Sequence, residues 1–293
     1  MSLVQDQTAP DRVPTVDAHH HLWLAEEQEQ PWRIGAHPAL ARDFEPADLG
    51  PRLDEAGIEA TVLVESADTS AENDRLARYA AGFSRVAGVV GWLPLEDPDR
   101  ARAELDRADR DRWCGVRCVV GRAPLDWLGT SATVRLMRDL AAAGLAWDVV
   151  PVTDAQARAV VELAREVPQL RIVVDHLARP PLDTGDRESW ASRLGTLAAC
   201  ENVALKVSVG MDVLTAWPRW EKADLAPYVG RAVDLFGPRR LMLASNWPVV
   251  TLRAEYGTAI RDLDGAVAGC GLSPAELSDV RGGTAGRWYA LSF

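Results

Sequence analysis

Short, nearly unbroken apolar runs alternate with amphipathic stretches along the whole chain. The runs are Val13–Ala18, Ala60–Glu65, Val89–Leu93, Gly115–Val120, Ala146–Pro151, Arg171–His176, Val203–Ser208 and Leu241–Ser245. A strand with one wet face alternates apolar with polar residues. These runs do not, so they predict strands buried on both faces, as in parallel sheets. Helical periodicity lies between them. Pro46–Ala56 sets Leu49, Leu53 and Ala56 on one face and meets Gly57, a helix stop. Ser70–Ala81, Ser131–Ala143, Ala155–Glu166, Ser189–Ala199, Leu225–Phe236 and Ala254–Ala268 repeat the pattern, and Ser273-Pro274 opens a last helix. No helix is assigned between the third and fourth runs. Eight strand–helix units predict one (β/α)8 barrel over residues 1–293, with a doubly wound sheet as the alternative. Within it, residues 1–12 read as an N-terminal extension and 270–293 as a C-terminal helix. Residues 24–44, with Trp32 and His37, read as a long loop over the barrel mouth, where such folds build their sites.

Composition narrows the function classes. The length of 293 residues suits one barrel of about 250 residues with extensions. With 47% hydrophobic and 26% charged residues, the chain has enough apolar surface to offset chain entropy, which excludes general disorder. The net charge of −11, without a basic cluster, excludes a nucleic-acid partner, since phosphate neutralisation supplies most of that affinity. No apolar run reaches the roughly 18 residues of a membrane span, and the polar start lacks a secretory core. A cytoplasmic enzyme with a small-molecule partner is expected, and self-association as a homo-oligomer stays open. Cys114, Cys118, Cys200 and Cys270 show no CxxC spacing and read as isolated thiols.

Candidate chemistry sits at strand ends. In Asp17-Ala18-His19-His20-His21, side chains at i and i+2 share a face, so His19 and His21 point together and His20 points away. Two imidazoles so placed can grip one metal ion, and a polar turn is the alternative. His176 closes the sixth run and either joins them as a third nitrogen ligand or is a hydrogen-bonded core histidine. Asp175, one residue earlier, alternates to the opposite face and is expected to anchor a loop or helix. The turn Ser245-Asn246-Trp247-Pro248 ends the eighth run, where a carboxylate would activate water, and holds Asn. Lys206 is the only lysine inside a strand and reads first as a paired buried ammonium.

These stretches carry a resemblance. Val16-Asp17-Ala18-His19-His20-His21-Leu22-Trp23, Asp175-His176-Leu177-Ala178-Arg179-Pro180 and the segment from Phe236 to Val249 are similar to the amidohydrolase superfamily. Within it they resemble the branch of L-fuconolactonase, L-rhamnono-lactonase and 2-pyrone-4,6-dicarboxylate lactonase. Thr61–Glu65, Gly88–Trp92, Gly115-Val116-Arg117 and Asn202–Ser208 extend the match over nearly the whole chain, in order.

The resemblance implies a hydrolase that opens a small polar or sugar-derived lactone, with metal-activated water as the leading route and metal-independent polarisation of the carbonyl by these histidines as the alternative. His19, His21 and His176 would hold a divalent metal ion, Zn²⁺ first, and position 246 matches the general base. Arg117, Arg122 and Arg179 are candidates to hold substrate carboxylate or hydroxyls, with a solvated surface arginine or a structural ion pair as the alternative for each. Trp23, Trp92 and Trp247 are candidate sugar-facing rings, with simple packing as the alternative. Three departures matter: Asn246 stands for the usual Asp, Leu-Ala-Arg-Pro for Leu-Gly-Lys-Pro, and Ser208-Val209-Gly210 for a Ser-Gly pair. Asn cannot take a proton near neutral pH. Glu65, ending the second run, and Asp148 in the fifth are then alternative bases. The departures also leave open a decarboxylase or lactone isomerase on the same fold, or an inactive ligand-binding paralogue.

Overall fold

The computed structural model describes residues 12–28, 30 and 37–293. All eight apolar runs form strands: β1 (Val16–His20), β2 (Ala60–Val64), β3 (Val86–Trp92), β4 (Trp113–Arg117), β5 (Ala146–Val149), β6 (Ile172–Val174), β7 (Val203–Val207) and β8 (Leu241–Leu243). They pair in parallel in chain order. The ring closes just beyond β8, where Asn246 N donates to His19 O at 2.9 Å and His21 N to Trp247 O at 2.7 Å. The result is a single-domain (β/α)8 barrel. Inside it, Val16, Ala18, Val62, Val64, Val90 and Met242 pack together, while the opposite strand faces carry the helices. Burial on both faces explains the unbroken hydrophobicity.

Five helices follow the expected register closely: α1 (Pro46–Ala56), α2 (Ser70–Gly82), α4 (Ser131–Ala142), α5 (Asp154–Glu166) and α6 (Arg187–Ala198). Between α2 and α4 lies α3 (Pro98–Arg107), which the pattern does not reveal. Only Ala101 and Glu104 of α3 are buried, so no apolar stripe marks it. Its start is set by Pro98 in the first turn and by Asp97, whose carboxylate accepts from Arg100 N. The short α7 (Met211–Ala216) follows β7, ahead of α8 (Lys222–Phe236) and α9 (Tyr256–Ala268).

The mouth loop 24–44 is only partly described, and Trp32 and most of the N-terminal extension lie outside the described residues. The base of the loop is closed by Trp23 and Phe44, whose backbones bond reciprocally at 3.0 and 2.8 Å. No described helix is long and apolar enough to cross a membrane.

The C-terminal segment is a continuous helical run over 274–289 with a π turn in its middle. It runs as α10 (Pro274–Ser278), a π turn (Asp279–Gly283) and α11 (Thr284–Tyr289). The turn presses Gly282 onto the chain entering β1: a Cβ there would stand 1.9 Å from Pro14 O. That contact cannot yield without backbone movement. Gly282→Ala is therefore expected to cost about 1–3 kcal/mol in denaturant unfolding, the usual range for overpacking. A loss under about 0.5 kcal/mol would show that the contact relaxes freely.

Candidate active site

The end of β1 sets the site. His19 and His21 do share a face, and their Nε2 atoms stand 3.2 Å apart. His20 points away, with Nε2 2.9 Å from Thr61 Oγ1. The Thr61 hydroxyl donates onward to Arg85 O, so His20 is the donor; burial pushes its pKa down to about 3 and keeps it neutral. Val64 O accepts from His21 Nδ1 at 2.8 Å. That fixes the His21 tautomer and leaves Nε2 with a lone pair aimed at His19. Burial, then Lys206, hold His19 far below its ordinary pKa, and burial with Arg117 does the same to His21. Asp17, deeper in the strand, is structural. It accepts from Ser245 N at 2.8 Å, Ser245 Oγ at 2.6 Å and Tyr256 OH at 3.1 Å, pinning the turn after β8.

The expectation for Asp175 is corrected. Strand alternation would send Asp175 and His176 to opposite faces, but β6 stops at Val174. Four residues with left-handed backbone follow: His176 (φ 55°), Leu177 (50°), Ala178 (50°) and Arg179 (61°). This turn breaks the two-residue period and brings both side chains inward. Ala178 occupies the place where the resembling pattern has glycine, the residue that adopts such a φ most easily. Asp175 Oδ1 accepts from Lys206 Nζ at 3.0 Å and stands 3.3 Å from His19 Nδ1, which Lys206 Nζ also approaches at 3.1 Å; Oδ2 accepts from Arg117 Nη1 at 3.2 Å. Burial raises its pKa, but Lys206 and His19 outweigh that and keep the carboxylate charged. His176 Nδ1 meets Ser208 Oγ at 2.8 Å, and its ring lies 4.6 Å from that of His19.

Below this layer, Lys206 is fully buried and bonds Asp148 Oδ2 at 2.6 Å. Tyr289 OH donates to the same oxygen at 2.7 Å. Burial, opposed by Lys206, moves Asp148 up to about 6. Beside them, Arg117 Nε donates to Glu65 Oε1 and Nη2 to Glu65 O, both at 2.6 Å. Glu65 Oε2 is buried without a hydrogen-bond partner among the described residues. Asn246 (φ 56°) donates from Nδ2 to Val209 O at 2.9 Å.

Above these groups opens a cavity of about 590 Å³ whose wall includes His21, His176, Arg117, Arg122, Arg179 and Asn246. The Arg179 guanidinium is held by Asp183 at 2.9 Å and by Asp212. Glu65 and Asp148 are fully buried and absent from the wall. The three tryptophans are absent from it too, which corrects their assignment as sugar-facing rings. Trp23 and Trp247 clasp Phe44 edge-on at centroid distances of 5.1 and 5.4 Å, and the backbone of Trp92 is bound by Asn73. They support the mouth by packing. His37 lies in the wall as well; its only sequence signal was an isolated histidine in the mouth loop.

Could these residues hold a metal? Among the described residues, ligating atoms of His19, Asp175 and His176 lie within 4.8 Å of one another. Two imidazole nitrogens on one tetrahedral zinc stand about 3.3 Å apart, from bonds of roughly 2.0–2.1 Å. The 3.2 Å between His19 and His21 matches that spacing. Asp175 lies behind His19 Nδ1, where a carboxylate fixes the tautomer of a liganding histidine. Two cations compete for His19, Arg117 Nη1 at 3.4 Å from Nε2 and Lys206 Nζ at 3.1 Å from Nδ1; Arg117 Nη1 would have to give way to the ion, and Lys206 would have to leave Nδ1 to Asp175. The donor set fits a divalent ion.

A parallel barrel whose strand ends gather neutral imidazoles, a charged carboxylate and arginines under an open cavity defines a barrel enzyme with a polar centre at its C-terminal face. The chain belongs to the amidohydrolase family, whose model matches residues 16–291. It is 34% identical over 284 residues to an L-fucono-1,5-lactonase of Burkholderia ambifaria, spanning 94% of this chain and 95% of that protein. An L-fucono-1,5-lactonase of Burkholderia multivorans is 31% identical over 297 residues, spanning 94% and 96%. Among solved structures, an amidohydrolase from Burkholderia multivorans with bound Zn superposes with a TM-score of 0.85 at 30% identity, covering 95% of this chain and all of that one.

Proposed function

We propose that this chain hydrolyses a small, polar, sugar-derived lactone of the L-fuconolactone kind, with a divalent ion, zinc first, held by His19, His21 and His176 and oriented from behind by Asp175. The observation that carries the reading is the pair of Nε2 atoms 3.2 Å apart beside a cavity sized for a small ligand. The two lactonase relatives and the zinc-bound neighbour support it. When bound, the ion supplies Lewis-acid polarisation of a carbonyl and lowers the pKa of water.

The chain's own residues do the rest. Arg117, anchored to Glu65 through Nε and Nη2, turns its remaining Nη1 donor to carbonyl or hydroxyl oxygens from one side of the cavity. Arg179 frames the other side. Asn246 orients the substrate through its amide and takes no proton. Glu65 is assigned to positioning Arg117, because both its burial and its bond to the guanidinium remove it from the reacting atoms. In the reaction, water oxygen bonds to the carbonyl carbon and the ring C–O bond breaks. One water proton ends on the ring oxygen, and the hydroxy acid releases its acid proton to solvent.

That released proton is the test. The unmodified protein with added Zn²⁺ or Mn²⁺ is expected to acidify a weakly buffered solution of L-fucono-1,5-lactone or related aldonolactones, and a chelator is expected to suppress the rate. Asn246→Asp, run alongside, separates two outcomes. Turnover by the unmodified chain establishes the hydrolase. Turnover by the Asp variant alone would mark the natural chain as a ligand-binding paralogue.

A further inference from the structure

We propose that His37 is the catalytic proton-transfer residue of this site. It would take a proton from the attacking water and return it to the ring oxygen of the lactone. The inference rests on the lactone-hydrolysis reading and identifies a group that reading leaves unassigned.

Along the cavity wall the other acid–base groups are already committed. The turn after β8 carries Asn246, which cannot accept a proton. Among the described residues, Asp212 is the one carboxylate in the wall, and Arg179 holds it. Glu65, Asp148 and Asp175 are fully buried behind the wall in pairs with Arg117 and Lys206. Three imidazoles remain. His21 has Nδ1 committed to Val64 O and Nε2 facing His19, and His176 has Nδ1 committed to Ser208. His37 is half-buried in the same wall, and its ring has no hydrogen-bond partner among the described residues. Among the described residues it is the wall's uncommitted acid–base group.

Its placement also fits. His37 starts the Pro38–Leu40 turn, and that turn packs on Val249–Leu252, directly after the Asn246 turn. His37 therefore enters the cavity beside the strand end where this fold otherwise offers its base. The charged groups sharing the wall are Arg117 from β4, Arg122 from the following loop, Arg179 after β6 and Asp212 in α7. The Val249–Leu252 turn brings none.

The proton balance closes. Water's oxygen bonds to the carbonyl carbon as one of its protons passes to a His37 nitrogen. The ring C–O bond breaks, and that proton passes from His37 to the departing oxygen. The imidazole ends neutral, ready for another turnover.

The experiment compares the unmodified protein with His37→Ala and His37→Gln by acid release, with bound metal and thermal midpoint measured on each. General acid–base transfer contributes about 10²–10⁴-fold. Both variants are expected to keep their metal and to lose about 100-fold or more in kcat. Added imidazole is expected to restore part of the rate in His37→Ala and none in the unmodified protein. Activity of His37→Ala within threefold of the unmodified chain overturns this inference alone, as does a loss that imidazole does not relieve. If His37→Ala does not fold, His37→Gln within threefold of the unmodified chain is decisive against it. Absence of turnover by the unmodified chain overturns the hydrolase reading and this inference with it.

Discussion

His19→Ala is expected to strip the bound metal and to lower kcat/KM by about 10³-fold or more. His19 is the member that touches every part of the centre. Its Nε2 faces His21 at 3.2 Å, its Nδ1 faces Asp175 at 3.3 Å, and its ring lies 4.6 Å from His176. Charge stabilisation by a catalytic metal amounts to several kcal/mol, and each 1.36 kcal/mol is tenfold in rate, which sets the size of the loss. Stability should fall much less, because Asp175 keeps Lys206 and Arg117 as partners when the imidazole goes. Metal content by elemental analysis and acid release on the same preparation check both halves. Retention of metal and of activity within threefold would remove His19 from the centre.

Lys206→Met should do the reverse and strike the fold first. Lys206 is fully buried and neutralises two fully buried carboxylates, Asp148 at 2.6 Å and Asp175 at 3.0 Å. Deleting one partner of a buried pair costs about 3–5 kcal/mol, because the charge left behind has lost its hydration without compensation. The expected result is a drop of that size in denaturant unfolding. Adding Asp148→Asn to Lys206→Met should recover part of it, since the second change removes one stranded charge. A single-variant loss below about 1 kcal/mol, or no coupling in the double variant, would show that the two carboxylates find other compensation.

The architecture was largely legible because both strand faces are buried, so each strand announces itself as an apolar run. The helix α3 was hidden for the complementary reason: it buries only Ala101 and Glu104, and its start depends on a capping carboxylate rather than on apolar spacing. At the site, alternation placed His19, His20 and His21 correctly because β1 stays extended to His20. The same rule failed at Asp175 because the chain leaves the strand at Val174 and turns left-handed, a change no local pattern marks when Ala178 stands in for glycine. The tryptophans show a third limit. Position at a strand end does not say whether a ring faces the cavity or the loop above it, and Trp23 and Trp247 chose Phe44. The bond between Lys206 and Asp148 joins residues 58 positions apart, beyond what spacing can reveal.

The contacts beneath the centre tie its electrostatics to a distant stretch of chain. Asp148 receives its hydroxyl from Tyr289, and Gly282 packs on Pro14, so the helical run 274–289 reaches both the buried carboxylate and the chain entering β1. All eight strands and every histidine of the centre precede that run in the sequence. The floor of the barrel is therefore held by residues that never see the cavity, and loosening 279–289 would unsettle Asp148 and Lys206 before it touched a histidine.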